Sequence, residues 1–127
     1  MEGNTYEFRI DMDPVPKGRP RFGNGRTYTP SKTLKAEALL KILVAKQFRK
    51  PPLEGPLYVG ISFNIKRPKS VKRPLPTGRA DLDNYIKTVF DSLNQVVWKD
   101  DSQIVDISAS KRYAPGPAYI EIQVTEL

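Results

Sequence analysis

The chain has 127 residues, which is room for one core and not for two ordinary domains. It contains no cysteine and no histidine, excluding disulfides, thiolate or imidazole metal sites, cysteine nucleophiles and histidine general bases. The formal net charge of +7 predicts attraction to polyanions, and any catalysis must come from carboxylates, lysine or metal ions. No apolar run approaches the roughly 18 residues of a membrane span, and the first residues lack the apolar stretch of a secretory signal, so a cytoplasmic protein is expected.

Tyr6 to Met12 alternates apolar and polar residues, the period of a half-buried strand. Asp13 to Pro30 is a basic loop, broken by prolines and glycines, in which Gly23-Asn24-Gly25 marks a tight turn between short strands. Ser31 is placed to cap a helix running to about Phe48, with Leu34, Ala38, Leu39, Ile42, Leu43 and Lys46 near helical spacing. Leu57, Val59, Ile61, Phe63 and Ile65 then alternate as a second strand. Lys66 to Gly78 carries five basic residues and three prolines and reads as a surface loop.

From Asp81 onward, Leu82, Ile86, Val89, Phe90 and Leu93 lie on one face of an amphipathic helix. Ile104 to Lys111 is rich in β-branched residues, Ala114 to Pro117 forms a turn, and Tyr119 to Val124 alternates again, predicting a closing antiparallel pair. The order β, α, β, α, β, β predicts an α/β (α+β) fold, one domain over residues 1–127 with a mixed β-sheet and two helices packed on it.

Charge is unevenly distributed. Residues 81–106 hold six aspartates against Lys87 and Lys99, a balance of −4, so the remainder is +11. An acidic stretch weakens attraction to a polyanion unless divalent cations reverse its local sign. Taken singly, each aspartate has a plain structural explanation. Asp81 stands at an N-cap, Asp83 lies in the first helical turn, Lys87 and Asp91 continue an i, i+4, i+8 salt-bridge row, and Asp100-Asp101 is a turn doublet. Asp91 points away from the apolar stripe and is expected to be solvated. If the strand near Ile104 starts beside the helix start, however, Asp81, Asp83 and Asp101 converge into a set of hard oxygen ligands suited to Mg²⁺ or Mn²⁺. Such a cation beside basic loops points to phosphodiester hydrolysis, with Lys87 supplying positive charge near the transition state.

The run Asp81-Leu82-Asp83-Asn84, then Lys87, then Phe90-Asp91-Ser92-Leu93, then Asp100-Asp101-Ser102-Gln103-Ile104-Val105 resembles the RusA family of Holliday junction resolvases, usually phage- or prophage-derived. Gly18-Arg19-Pro20-Arg21-Phe22 and Tyr28-Thr29-Pro30 are similar to that family too, and the resemblance covers nearly the whole chain. It implies a homodimeric, Mg²⁺-dependent endonuclease, with Mn²⁺ able to substitute, that makes paired symmetric nicks across four-way DNA junctions in recombination and repair. Carried onto this sequence, the metal-binding and catalytic carboxylates are Asp81, Asp83 and Asp101, and Lys87 is the catalytic lysine. Asp100 ranks below Asp101. Some members have a basic residue immediately before the first aspartate, where this chain has Ala80, with Arg79 one position earlier.

Lys17, Arg19, Arg21, Arg26, Lys66, Arg67, Lys69, Lys72, Arg73 and Arg79 are the expected contacts to the DNA backbone, and Phe22 and Tyr28 either stack on bases or anchor their loop. Two rivals differ in class. A different DxD enzyme is disfavoured because the motif opens a helix instead of ending a strand, and a catalytically inactive junction-binding module would keep the basic loops without cleavage.

Overall fold

The computed structural model describes the chain except residues 1, 2, 19, 20, 29 and 79 and the side chains of Arg21 and Tyr28. Within it the elements follow as β1 (Thr5–Ile10), β2 (Arg21–Gly23), β3 (Arg26–Tyr28), α1 (Ser31–Gln47), β4 (Leu57–Lys66), α2 (Leu82–Leu93), β5 (Ile104–Ala114) and β6 (Tyr119–Glu126). A 3₁₀ turn at Asp101–Gln103 precedes β5. The result is the expected single α+β domain.

The main sheet has the order β1-β6-β4-β5. β6 runs antiparallel to both β1 and β4, whereas β4 and β5 are parallel. The expected closing pair of β5 with β6 is therefore not formed, because β4 lies between them. Leu57, Val59, Ile61, Phe63 and Ile65 of β4 are all buried, so the most apolar strand takes an interior position. Its parallel neighbour must be reached by a crossover, and α2 provides it. The link holding Pro115 and Pro117 then passes the end of β4, where Lys66 faces Ala114 on one side and Asn64 faces Tyr119 on the other.

The core sits between the sheet and the helices and includes Phe8, Ile10, Leu40, Val44, Phe48, Val89, Leu93 and Trp98. The opposite face of the sheet is a shallow polar trough containing Tyr58, Gly60, Ser62, Ser108 and Ser110. β2 and β3 form a hairpin turned by Asn24 (φ 52°) and Gly25 (φ 77°). Positive φ at both central residues is the backbone that an Asn-Gly turn supplies with little strain.

Two details of α1 differ from expectation. Pro30 occupies the N-cap position, no side chain caps the first turn, and Ser31 is already helical. The buried stripe is Thr33, Ala36, Leu40 and Val44, while Leu34, Leu39 and Ile42 are exposed. α1 has apolar residues around most of its circumference, so periodicity alone does not choose the face that packs.

Candidate active site

Asp81 is the N-cap residue of α2, in extended backbone (φ −65°, ψ 143°), and its carbonyl accepts from the N–H groups of Asn84 (3.1 Å) and Tyr85 (3.4 Å). Its carboxylate makes no cap hydrogen bond. Asp83 lies in the first turn, and both residues are exposed. Among the described residues neither carboxylate has a hydrogen-bond or ion-pair partner, so the helix start presents two uncommitted acidic groups. On the far side Lys111 of β5 donates from Nζ to the carbonyl of Ala80 (3.0 Å), pinning the residue before Asp81. Nothing in the sequence singles out Lys111, because its role depends on α2 folding back along β5.

That direction also separates the carboxylates. Asp101 accepts from Nδ2 of Asn94, the C-cap of α2, at 3.5 Å, and Asn94 Oδ1 accepts from the indole N–H of the buried Trp98 at 2.8 Å. Asp101 thus lies beside the end of α2, and Asp81 and Asp83 lie at its start. Twelve helical residues span about 18 Å. The start of β5 is next to the helix end, contrary to the expectation that it lies beside the helix start. Among the described residues of one chain no three acidic groups are close enough to hold a metal ion. Asp81 with Asp83 suits a hydrated Mg²⁺, which commonly keeps waters and takes one or two carboxylates. The full set with Asp101 does not fit within a single chain.

Asp91 is not solvated. Its Oδ1 pairs with Lys87 Nζ (3.1 Å) and its Oδ2 with Lys17 Nζ (3.1 Å), which also meets Glu37 Oε2 (2.8 Å). Burial of the Lys17 ammonium works against its charge, but the bonds from Glu37 and Asp91 outweigh that and hold its pKa above the ordinary lysine value. The proposed DNA contact Lys17 is therefore engaged in tying the first loop to α1 and α2, helped by its backbone N–H on the Asn84 carbonyl (2.8 Å). Of the expected row Asp83, Lys87, Asp91, only the second pair forms among the described residues.

Asp100 is occupied as a cap. Its side chain accepts from the N–H of Ser102 (3.0 Å), and Gln103 Oε1 accepts from its backbone N–H (2.9 Å). The bond from Ser102 holds the Asp100 carboxyl below its usual range. Gln103 also donates to the carbonyls of Leu53 and Gly55, both at 2.9 Å. Of the Asp100-Asp101 doublet, Asp100 is spent on the cap and Asp101 is not.

The second basic loop reaches the same helix start. Lys66, Arg67 and Lys69 line a cleft with Val15, Lys32 and Tyr85, the last one turn into α2. Lys32 was not among the expected contacts; it joins them through the packing of α1 beside α2. Arg67 stacks on the ring of Tyr113 (4.3 Å). Lys72, Arg73 and Arg26 are exposed, as is Phe22. Arg19, Arg79 and the side chains of Arg21 and Tyr28 lie outside the described residues.

A curated protein of Bacillus subtilis (strain 168) called uncharacterized protein YqaN is 30% identical over 140 aligned residues, which cover 98% of each chain. The family model described as Endodeoxyribonuclease RusA matches residues 11–125, a span containing the exposed carboxylate pair, Asp101 and the basic cleft. The chain belongs to the RusA family of endodeoxyribonucleases.

Proposed function

We propose that this protein is a Holliday junction resolvase, one domain over residues 1–127 that works as a Mg²⁺-dependent homodimer nicking two symmetric strands of a four-way DNA junction. The observation that carries this reading is a pair of uncommitted carboxylates, Asp81 and Asp83, at the start of the helix whose Tyr85, one turn on, lines a cleft with Lys32, Lys66, Arg67 and Lys69. A plain phosphate-binding surface has no use for exposed carboxylates beside its cations. When bound there, a divalent cation supplies charge neutralisation at the scissile phosphate.

The chain's own residues divide the remaining tasks. Lys66, Arg67, Lys69, Lys72, Arg73 and Arg26 hold the DNA backbone, with Arg19, Arg21 and Arg79 on the same loops. Lys87 is exposed at the rim and shares Asp91 with Lys17. It can turn toward a phosphate without leaving Asp91 unpaired, because Lys17 keeps the other carboxylate oxygen. A second copy supplies what one chain lacks. A two-fold axis beside α2, level with its middle, sets a second α2 antiparallel to the first and carries the partner's Asp101 toward the end that holds Asp81 and Asp83. Two such sites would cut two strands.

The test is an end-labelled synthetic four-way junction and a linear duplex of matched sequence, each incubated with Mg²⁺, Mn²⁺ or EDTA, for the wild type and Asp83→Asn. Paired, metal-dependent nicks in the junction, lost with Asp83→Asn, are expected. Tight junction binding without cleavage in either metal would instead favour a binding module, and equal cleavage of both substrates would remove junction selectivity.

A further inference from the structure

β5 has 11 residues and lies at the edge of the main sheet, where among the described residues nothing pairs with its outer side. A long edge of this kind exposes a row of N–H and C=O groups that template another strand. It also exposes apolar side chains near its start, Val105 at 66% and Ile107 at 41%, and the neighbouring Ile86 and Phe90 of α2 are only partly covered. Its charges are polarised, Asp106 near the start and Lys111 and Arg112 near the end. Set against a reversed copy of itself, the strand meets charge with opposite charge.

We propose that β5 is the seam of the homodimer, two copies pairing antiparallel about a two-fold axis at Ala109 to join two four-stranded sheets into one. The register follows from the pleat. Asp106, Ser108, Ser110 and Arg112 share the open face of the sheet, in line with Tyr58, Gly60, Ser62 and Asn64 of β4. Residues directly opposite in an antiparallel pair share a face. Centring on Ala109 is the arrangement that sets Asp106 opposite the partner's Arg112, twice by symmetry.

The exposed apolar face of α1 is the competing surface, and its charge argues against it. Lys32, Lys35, Lys41 and Lys46 are carried there against a single Glu37, already bound to Lys17, so two copies would repel. The seam rests on the homodimer reading given above and names the surface that makes it.

Sedimentation equilibrium of the full chain tests this with wild type, Asp106→Arg, Arg112→Asp and an equimolar mixture of the two variants. Each variant alone sets like charges opposite each other at both contacts, and its dimer dissociation constant should rise about tenfold or more. The mixture should recover the wild-type value, because each heterodimer restores both pairs; a folding defect could not produce that recovery. In a chain otherwise free of cysteine, oxidised Ala109→Cys should give a disulfide-linked dimer. A wild type that stays monomeric at high micromolar concentration would remove the dimer reading itself. A dimeric wild type with unchanged single variants, or with no linkage through position 109, would overturn the seam and leave the dimer standing.

Discussion

Lys111 shows how a residue acts at a distance from its place in the chain. Its ammonium, partly buried behind α2, holds the Ala80 carbonyl and so the backbone that delivers Asp81. Lys111→Met should lower kcat for junction cleavage by roughly 10- to 100-fold with KM changed little, since a displacement of about an ångström at the reacting groups costs that much. Lys111→Arg, which keeps both the charge and a donor, should recover part of it; an unchanged kcat in Lys111→Met would mean that the bond to Ala80 does not position Asp81. Asp100 is the opposite case, a carboxylate used for structure. Its depressed pKa means that its stabilising cap is present above the ordinary aspartate range and is lost as pH falls through the depressed value. Asp100→Ala should therefore lower the melting midpoint near neutral pH, and the gap to wild type should narrow as pH falls below the ordinary aspartate range, as differential scanning fluorimetry would record.

At the scale of elements, what was legible depended on how many explanations a pattern admitted. β4 and α2 each have one apolar face, and the structure buries Val59, Ile61, Val89 and Leu93 as periodicity selects, although on α2 it leaves Leu82, Ile86 and Phe90 partly covered and buries Tyr85, Thr88 and Ser92 beside them. α1 has two candidate faces, and only the presence of α2 and the sheet decides between them. Leu40→Ala should cost about 2–5 kcal/mol in urea unfolding, whereas Ile42→Ala should cost under about 1 kcal/mol, although both residues are apolar and two positions apart. The antiparallel closing pair failed for a related reason. A short turn between two strands reveals their opposite directions and not whether a third strand lies between them. Asp81 could be assigned to an N-cap from its position, but whether its carboxylate is spent on the cap is settled by side-chain geometry. The convergence of Asp101 with Asp81 and Asp83 required the direction of α2 along β5, which spacing in sequence does not contain.

For the whole molecule, the net charge of +7 resolves into an uneven surface in which cations gather at one end of α2. DNA binding should be strongly salt-dependent, and replacing Lys66, Arg67 and Lys69 together by alanine should reduce the slope of log K against log salt by about one for each phosphate no longer neutralised. Fluorescence anisotropy on a labelled junction from low to moderate salt measures this, and an unchanged slope would exclude that cleft from the DNA path. Among the described residues no helix is long and apolar enough to cross a membrane.

The bond between Trp98 and Asn94 gives the molecule an optical reporter. Trp98 is the one tryptophan in the chain, its indole N–H is bonded to the same amide that donates to Asp101, and its ring meets Phe90 edge-on at 5.9 Å. Whatever draws on Asp101, a cation or a second subunit, pulls on the Asn94 amide and changes the polarity felt by the excited indole. The emission maximum of the unlabelled protein should thus track assembly of the site in real time, separating the moment the site is completed from the moment DNA is cut.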